Sequence, residues 1–246
     1  MRIVGVYLGL ALLIFSCKKS EDRTCFKSTG KEVTVDVKLD GFLGLYLLQN
    51  LSYHLVPDTV NFARITGGEN LINHVSFNYF DSILYVINDN KCNFLRSYDK
   101  TIRVEIHYTQ LFSTKFIGSE TLTNSDSIRG EHFNLYVDKG SGSVDLTVYN
   151  DFSNALVGDG VGDYTLRGKV RYGHYQIRDN GFADVTGVIA SEGLKISTTS
   201  AGIMKCRADG IPLVVNIDGP GDVWYYGTPS SITLNKSGDG NLIHKN

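Results

Sequence analysis

The sequence has little proline, little tryptophan and almost no excess of charge. It contains 4 prolines, 1 tryptophan and a formal net charge of −2 over 246 residues. A charge balance this close to neutral gives no general attraction to a phosphate backbone, so we expect no nucleic acid partner. No linker rich in proline or serine divides the chain. Glycine, tyrosine, threonine, valine and isoleucine are abundant instead, which favours β-strands joined by turns over helices.

The N-terminus has the order of a secretory signal. Arg2 is followed by an apolar run to Phe15, then by Ser16 and Cys17, and the run is too short to span a bilayer comfortably. "LIFSC" resembles a bacterial lipobox, in which the signal is cut before a cysteine that receives lipid. We therefore predict a signal peptide over residues 1–16 and lipidation of Cys17. An ordinary signal peptide cut nearby stays an alternative.

Residues 17–24 are interpreted as a charged tether that follows the lipidated cysteine. Lipid chains at Cys17 would hold the mature protein at a bilayer without spanning it. The prediction is an exported, membrane-anchored bacterial lipoprotein of the outer membrane, on its periplasmic side or at the cell surface. The tether allows two readings, a signal for outer-surface display or a solvated linker.

A glycine-containing motif recurs through the C-terminal half. Spacings of 20, 21, 19, 19 and 19 residues separate its aligned positions, which are Gly142, Gly162, Ala183, Gly202, Gly221 and Gly240. Regular self-similarity at such a period is typical of a stacked array. The intervals leave no room for a crossover helix, and around them apolar and polar residues alternate as in half-buried strands.

Counting from the motif sorts the apolar residues into two columns. The first contains Val144, Tyr164, Val185, Met204, Val223 and Leu242, and the second contains Tyr136, Leu156, Ile177, Ile196, Val215 and Leu234. We predict an all-β, single-stranded parallel β-helix with about 19–21 residues per coil, and that these columns face its interior. The glycines are expected to supply turn conformations that other residues resist.

The domain is expected to cover residues 25–246, with regular coils from about residue 118. Before that point the pattern is β-like but irregular, and we interpret it as an N-terminal β cap. The apolar run "FLGLYLLQNLSYHLV", from Phe42 to Val56, is a candidate to cover the open first coil, because a solenoid otherwise exposes unpaired strand edges.

The glycine motif does not fit a nucleotide-binding loop. A Walker loop needs four residues between its glycines and then Lys followed by Ser or Thr, whereas five separate Gly162 from Gly168 and Val170 follows Lys169. A dinucleotide fingerprint needs a long helix after the glycines, and no such pattern follows. We predict no nucleotide and no cofactor.

Three cysteines remain after Cys17. Cys206 falls four residues past its motif, in an apolar column, and is expected to point inward as a small hydrophobe. Export permits disulfides. A bridge between Cys25 and Cys92 is then one reading, and two unpaired thiols are the other. Neither the cysteine spacings nor the six histidines have a metal-ligand pattern.

Outward positions also stack and provide the candidate binding residues. Counting from the motif places Lys205 beside Trp224 and Arg207 beside Tyr226 on neighbouring coils. Exposed aromatic rings next to cations can stack on a sugar ring or bind a charged group. We predict a ligand-binding surface at these four residues; the alternative is a surface ladder that only stabilises strand pairing.

Two further outward patterns have both a functional and a structural interpretation. Asp163, Asp184, Asp222 and Asn241 share the position after the motif, where stacked oxygens suit calcium, although aspartate is also a common turn residue. Arg167, Lys169 and Arg171 alternate along one strand. They form either a patch for an acidic polysaccharide or an ordinary solvated face.

The sequence resembles a bacterial family, the putative auto-transporter adhesin, head GIN domain. The resemblance is in the glycine coils, in "ITGGENLI" and "NKCNFLRSYDKTIRVEI", and in the ending "GDVWYYGTPSSITLNKSGDGNL". It implies a right-handed parallel β-solenoid on an exported lipoprotein, and it implies no catalytic residues. The motif is weaker than the family pattern at Ala183 and Ser200.

The predicted function is a non-catalytic cell-envelope lipoprotein, either a binding or adhesion module or a structural one. Its partners would be the bilayer and glycans or cell-surface proteins. The alternative is a polysaccharide lyase or hydrolase, since such enzymes also use β-solenoids. They need clustered carboxylates in one groove, and the two outward columns counted from the motif contain one aspartate, Asp145.

Overall fold

The computed structural model describes residues 29–90 and 101–246. All described strands join one sheet, which winds into a β-solenoid of about seven turns. This confirms the predicted parallel β-helix. The stacked strands are β2 (Gly44–Leu48), β3 (Leu51–Pro57), β6 (Ile83–Asn88), β7 (Ile102–Tyr108), β8 (Ser113–Ile117), β9 (Thr121–Asn124), β10 (Ile128–Val137), β11 (Ser143–Val157), β12 (Asp163–Ile177), β13 (Phe182–Thr198), β14 (Met204–Arg207), β15 (Pro212–Ile217), β16 (Val223–Tyr226), β17 (Ser231–Lys236) and β18 (Leu242–His244).

The C-terminal coils follow one another in sequence order. Strand β11 pairs in parallel with β10 and β12 along most of its length, and β12 pairs in the same way with β13. Alternate residues of β11, such as Val144, Leu146 and Val148, are fully buried. This alternation follows from the two-residue period of a strand, and it leaves every second residue on the outer surface.

The N-terminal part is built differently, with antiparallel strands. Its remaining elements are β1 (Glu32–Lys38), β4 (Phe62–Gly68), β5 (Val75–Phe80) and a short helix α1 (Glu69–Ile72). Strand β4 pairs antiparallel with β1 and β7, and β5 pairs antiparallel with β6. These strands correspond to the irregular β region predicted before the regular coils.

The run predicted to cover the first coil is itself a coil, so that expectation is wrong. Strand β2 pairs in parallel with β6 on one side and β8 on the other, and β3 lies between β7 and β9. The side chains of Leu47, Leu51 and Leu55 are fully buried. The run is continuously apolar because it forms an interior layer, with a later part of the chain folded beyond it.

The alignment of the third coil is a second correction. Tyr164 pairs with Ala183, and Ala183 pairs with Met204, so Gly181 and not Ala183 holds the motif position. The spacings are then 20, 19, 21, 19 and 19 residues. Val185 moves to the row of Cys206. The side chains of Val144, Tyr164, Met204 and Val223 are nevertheless buried as predicted.

The second predicted interior column is correct only at Ile196 and Val215, since Leu234 lies in the same row but is 45% exposed. Ile196, Val215 and Leu234 share a row, but the earlier members of that row are Leu135, Ala155 and Tyr175. Leu156 pairs with Tyr136, which is 44% exposed, and Ile177 belongs to the next inward row. The turns after Val137 and Val157 contain one residue more than the later turns, which shifts the count.

The glycines of the motif are required for close approach between coils. A Cβ atom at Gly202 would overlap the carbonyl oxygen of Gly181, and one at Gly221 would overlap that of Gly202. Neither residue has a positive φ. The expectation that they supply unusual turn conformations is therefore wrong at these positions, where the absence of a side chain lets successive corners stack.

Candidate functional site

Lys205, Arg207, Trp224 and Tyr226 lie on two neighbouring coils. Strand β14 pairs in parallel with β16, with Lys205 opposite Trp224 and Arg207 opposite Tyr226. The intervening residues Met204 and Cys206 are fully buried, so alternation turns the cations and the aromatic rings outward. The structure brings these predicted residues together as two cation and ring pairs.

Trp224 has cations on both neighbouring coils. The Nζ atom of Lys205 is 5.8 Å from the centre of its ring and that of Lys245 is 4.3 Å away. The guanidinium carbon of Arg207 is 5.9 Å from the ring centre of Tyr226. At these distances a cation is attracted to the face of an aromatic ring. The rings are half-buried and not fully exposed.

An open groove of about 460 Å³ begins beside Trp224. We call it the tryptophan groove; its lining includes Lys205, Asp184, Thr165 and Phe182. Lys205 Nζ is 3.7 Å from Asp184 Oδ2, and the indole Nε1 of Trp224 is buried without a hydrogen-bond partner among the described residues. Arg207 and Tyr226 are not among the lining residues.

The presence of Asp184 in this groove corrects the predicted outward column. Asp184 lies opposite Thr165 and Lys205, where counting from the motif had placed Thr186. Thr186 donates hydrogen bonds to Asp184 Oδ1 from its backbone nitrogen at 3.0 Å and from its hydroxyl at 2.6 Å. The outward row therefore contains a second carboxylate besides Asp145.

The same shift removes Asp184 from the column considered for calcium. Asp163 accepts a hydrogen bond from the Ser143 hydroxyl at 2.8 Å, and Asp222 accepts one from the backbone nitrogen of Asn241 at 2.8 Å. In residues 29–90 and 101–246, no three His, Cys, Asp or Glu side chains are grouped for metal binding. The oxygens at these turns hydrogen-bond between neighbouring coils.

The basic residues of β12 are exposed, as their alternation predicts, but two of them are paired. Arg167 binds both carboxylate oxygens of Asp145 on the preceding coil. Arg171 donates to Glu192 on the following coil at 2.7 and 3.2 Å, and these bonds, with one from Tyr172, lower the pKa of the Glu192 carboxyl. Lys169 has no carboxylate partner among the described residues.

A larger groove, which the sequence did not indicate, surrounds Lys169. It has a volume of about 800 Å³ and is formed by residues 129–131, 149–151, 169–171, 189 and 191. We call it the axial groove, because its rows run along the solenoid axis. One wall is the paired row of Arg129, Tyr149, Lys169 and Ile189; the other contains Glu131, Asp151, Arg171 and Ser191.

The floor of the axial groove is formed by Gly130, Asn150 and Val170, which lie opposite one another. Asn150 is 5% exposed. Its Nδ2 donates to the carbonyl oxygen of Gly130 at 3.1 Å, while its Oδ1 is buried with no hydrogen-bond partner among the described residues. An unpaired buried acceptor is uncommon in folded proteins.

Aromatic rings follow one edge of this groove. His132, Phe152 and Tyr172 stack on successive coils with ring centres 5.0 and 5.6 Å apart. The Arg171 guanidinium lies 6.0 and 5.9 Å from the rings of Phe152 and Tyr172, and that of Arg129 lies 4.9 Å from Tyr149. Polar and aromatic residues recur at intervals of 20 in "RGEH", "YNDF" and "KVRY", which begin at residues 129, 149 and 169, and this recurrence is the sequence signal that could have indicated the groove.

The cysteine predictions divide between described and undescribed parts of the chain. Cys206 is buried and free, and its burial raises the pKa of its thiol to about 12; its predicted inward position is confirmed. Cys17, Cys25 and Cys92 lie outside the described residues. Within the described part, no helix has the length and apolarity needed to cross a membrane.

The fold is shared with solved bacterial structures. A protein described as a putative adhesin from Bacteroides fragilis has a TM-score of 0.76 at 20% identity, covering 87% of this chain and 97% of its own. A protein from Parabacteroides distasonis, described as a putative lipid binding protein, has a TM-score of 0.69 at 15% identity, covering 89% and 98%. A putative adhesin from Parabacteroides merdae gives 0.64 at 16%, covering 89% and 98%.

A comparison with curated proteins found no match. A family model does match, over residues 41–229. That range includes every strand from β2 to β16. The chain therefore belongs to the family described as putative auto-transporter adhesin, head GIN domain.

Proposed function

We propose that this protein is a non-catalytic binding module of the bacterial cell envelope, and that the tryptophan groove binds a glycan or a cell-surface protein. The observation that carries the proposal is the position of Trp224 between Lys205 and Lys245, beside an open groove. Half-buried aromatic rings with cationic neighbours are typical of binding surfaces, because the ring supplies area and the cations supply hydrogen bonds and charge.

The family and its relatives point to an exported or surface protein. The finer statement, that Cys17 carries lipid and anchors the chain at the outer membrane, rests on the sequence alone. Each buried methylene of an acyl chain contributes about 0.8 kcal/mol. Two or three chains at Cys17 would therefore hold the solenoid at a bilayer, with the tether of residues 17–24 between them.

The carboxylates in the tryptophan groove favour binding over hydrolysis. Asp163 is hydrogen-bonded to Ser143, and Asp184 is hydrogen-bonded to Thr186 and lies near Lys205. Both line an open groove. A glycosidase instead holds one carboxyl group protonated in a secluded site, beside a second group that activates water or attacks the sugar.

The test combines a glycan array with an assay for degradation products. Trp224→Ala with Tyr226→Ala is compared with the wild-type protein, and Phe80→Ala, an exposed aromatic of β5 that is 66% exposed, serves as the control. We expect retention of a ligand without turnover, lost in the double variant and kept in the control. Unchanged retention in the double variant would reject the site, and shortened or unsaturated sugars would favour the enzyme.

Anchoring is tested separately. Cys17→Ser should abolish incorporation of labelled palmitate and move the protein from the detergent phase to the aqueous phase, while Cys25→Ser should do neither. Persistent lipid labelling in Cys17→Ser would contradict the predicted anchor.

A further inference from the structure

We infer that the axial groove is a second binding site, and that its ligand is an uncharged, hydroxyl-rich oligosaccharide lying along the solenoid axis. This inference goes beyond the proposed function, because the axial groove shares no lining residue with the tryptophan groove. It belongs to the long strands β10 to β13, on a different part of the coil surface from β14 and β16.

The shape of the groove selects an elongated ligand. Each of its two walls contains four residues, one from each of four successive coils. Coils repeat about every 4.8 Å, so the walls extend over roughly 14 Å along the axis. The volume of about 800 Å³ is in the range of sites that hold small organic ligands. A short oligosaccharide fits this length better than a compact molecule does.

The charges of the groove select a ligand without net charge. Arg129 and Lys169 lie on one wall, and Glu131 and Asp151 on the other. Arg171 is paired with Glu192. Asp151 Oδ2 also lies 3.8 Å from Arg171, and Glu131 Oε1 lies 3.2 Å from His132 Nε2, so the acidic wall is partly neutralised by its own neighbours. A polyanion placed along the groove still meets both carboxylates, and a polycation meets Arg129 and Lys169, so each sign of charge is opposed by one wall.

Hydroxyl groups suit both walls. A sugar hydroxyl donates to the carboxylates of Glu131 and Asp151 and accepts from Arg129 and Lys169, and hydrogen bonds to charged groups are the stronger kind. Asn150 on the floor has an acceptor without a partner. Rotation of its amide toward the groove would let a hydroxyl donate to it.

Apolar surface completes the site. Tyr149 is 50% exposed and Ile189 is 62% exposed, and both belong to the cationic wall. The C–H face of a pyranose ring packs on such groups while its hydroxyls point to the polar residues. Alternation of apolar and charged residues along one row is what a sugar, with apolar faces and polar edges, requires.

The test measures binding of defined oligosaccharides to the full-length protein by calorimetry. Neutral gluco-, manno- and galacto-oligosaccharides are compared with oligogalacturonate and chitosan oligomers. The groove variant is Tyr149→Ala with Lys169→Ala, Phe80→Ala is the control outside both grooves, and Trp224→Ala reports binding in the tryptophan groove. We expect a neutral oligosaccharide to bind, the groove variant to weaken its binding at least tenfold, and Phe80→Ala to leave it unchanged.

Several outcomes would overturn the inference. The first is that none of the neutral oligosaccharides binds, and the second is that a charged oligomer binds more tightly at this groove. The third is that Trp224→Ala abolishes binding of the neutral oligosaccharide while the groove variant retains it. The last result would leave the proposed function in place while removing the second site. Ile189→Glu is a second variant, at a residue already exposed, and thermal unfolding of each variant verifies the fold.

Discussion

The regular coils and the N-terminal strands reach one core by different routes. In strands β11 to β13, each coil pairs in parallel with the coil that follows it in sequence. In the N-terminal part, β2 and β3 lie between strands that come later in the chain, and β4 and β5 pair antiparallel. The sequence repeat therefore determines which residues share an outward row in the C-terminal coils. In the N-terminal part, pairing between strands that are distant in sequence completes the core. Three predictions test this contrast, beginning with the largest expected effect.

The largest effect is expected where successive coils touch through glycine. Gly221→Ala would force a Cβ against the carbonyl oxygen of Gly202, and backbone cannot yield as a flexible side chain does. We expect a loss of about 4 kcal/mol or more in the free energy of unfolding, measured by urea denaturation.

The control is Gly41→Ala in the N-terminal part, where a Cβ meets nothing within 4 Å. It should change stability by less than about 1 kcal/mol. Equal losses in the two variants would contradict the account of close approach between coils.

The second prediction tests whether strand β2, which lies between β6 and β8, belongs to the core. Leu47 in β2 and Leu166 in β12 are both fully buried. Leu47→Ala and Leu166→Ala should each cost about 3 kcal/mol in urea denaturation, since both leave a cavity. A cost below about 1 kcal/mol for Leu47→Ala alone would mean that β2 covers the coils loosely, as the sequence had suggested.

The smallest effect concerns exposed ion pairs in the two regions. A hydrogen bond from Arg64 lowers the pKa of Asp36 in the antiparallel strands, and one from Arg171 lowers the pKa of Glu192 in the coils. A carboxylate with a lowered pKa stabilises the fold above its unfolded pKa, and this contribution is lost as the pH falls through the folded value.

We therefore expect Asp36→Asn and Glu192→Gln each to lower the thermal midpoint slightly at pH 7. The difference from the wild-type protein should begin to shrink below the unfolded pKa of about 4 and disappear once the pH is below the lowered pKa of the folded state. A difference that persists at pH 2 would show that lost packing, and not charge, causes it.

The coils could be predicted from the sequence because each coil is determined by residues close together in the chain. Alternation around Val144 and Leu146 gave the strands, and recurrent glycines gave the corners, so the pairing of Lys205 with Trp224 followed directly. The alignment of the repeats was wrong in two places. Ala183 was aligned with the motif glycines although Gly181, two positions earlier, holds that position, and the turn after Val157 is one residue longer than the later turns. Both errors moved rows without changing the type of fold.

The remaining features depend on contacts between distant parts of the chain. The apolar run of β2 and β3 is equally compatible with a cover and with an interior layer, and only its pairing with β6 and β7 decides. The axial groove requires Arg129, Asn150 and Lys169 to meet across successive coils around the floor at Gly130. Each of these residues, taken alone, resembles an ordinary polar residue of a strand.

The register between β12 and β13 at Lys169 is the central claim, since the axial groove depends on it. Lys169 lies opposite Ile189, both on the outer surface, whereas the 21-residue spacing of the sequence motif would pair Lys169 with Ala190. Opposed residues of adjacent strands, about 4.8 Å apart, can be joined by a disulfide, but neighbouring residues point to opposite faces. Lys169→Cys with Ile189→Cys is therefore expected to form a bridge on mild oxidation, seen as a linked peptide by mass spectrometry without reduction. A bridge in Lys169→Cys with Ala190→Cys, and none in the first pair, would contradict this register and the axial groove with it.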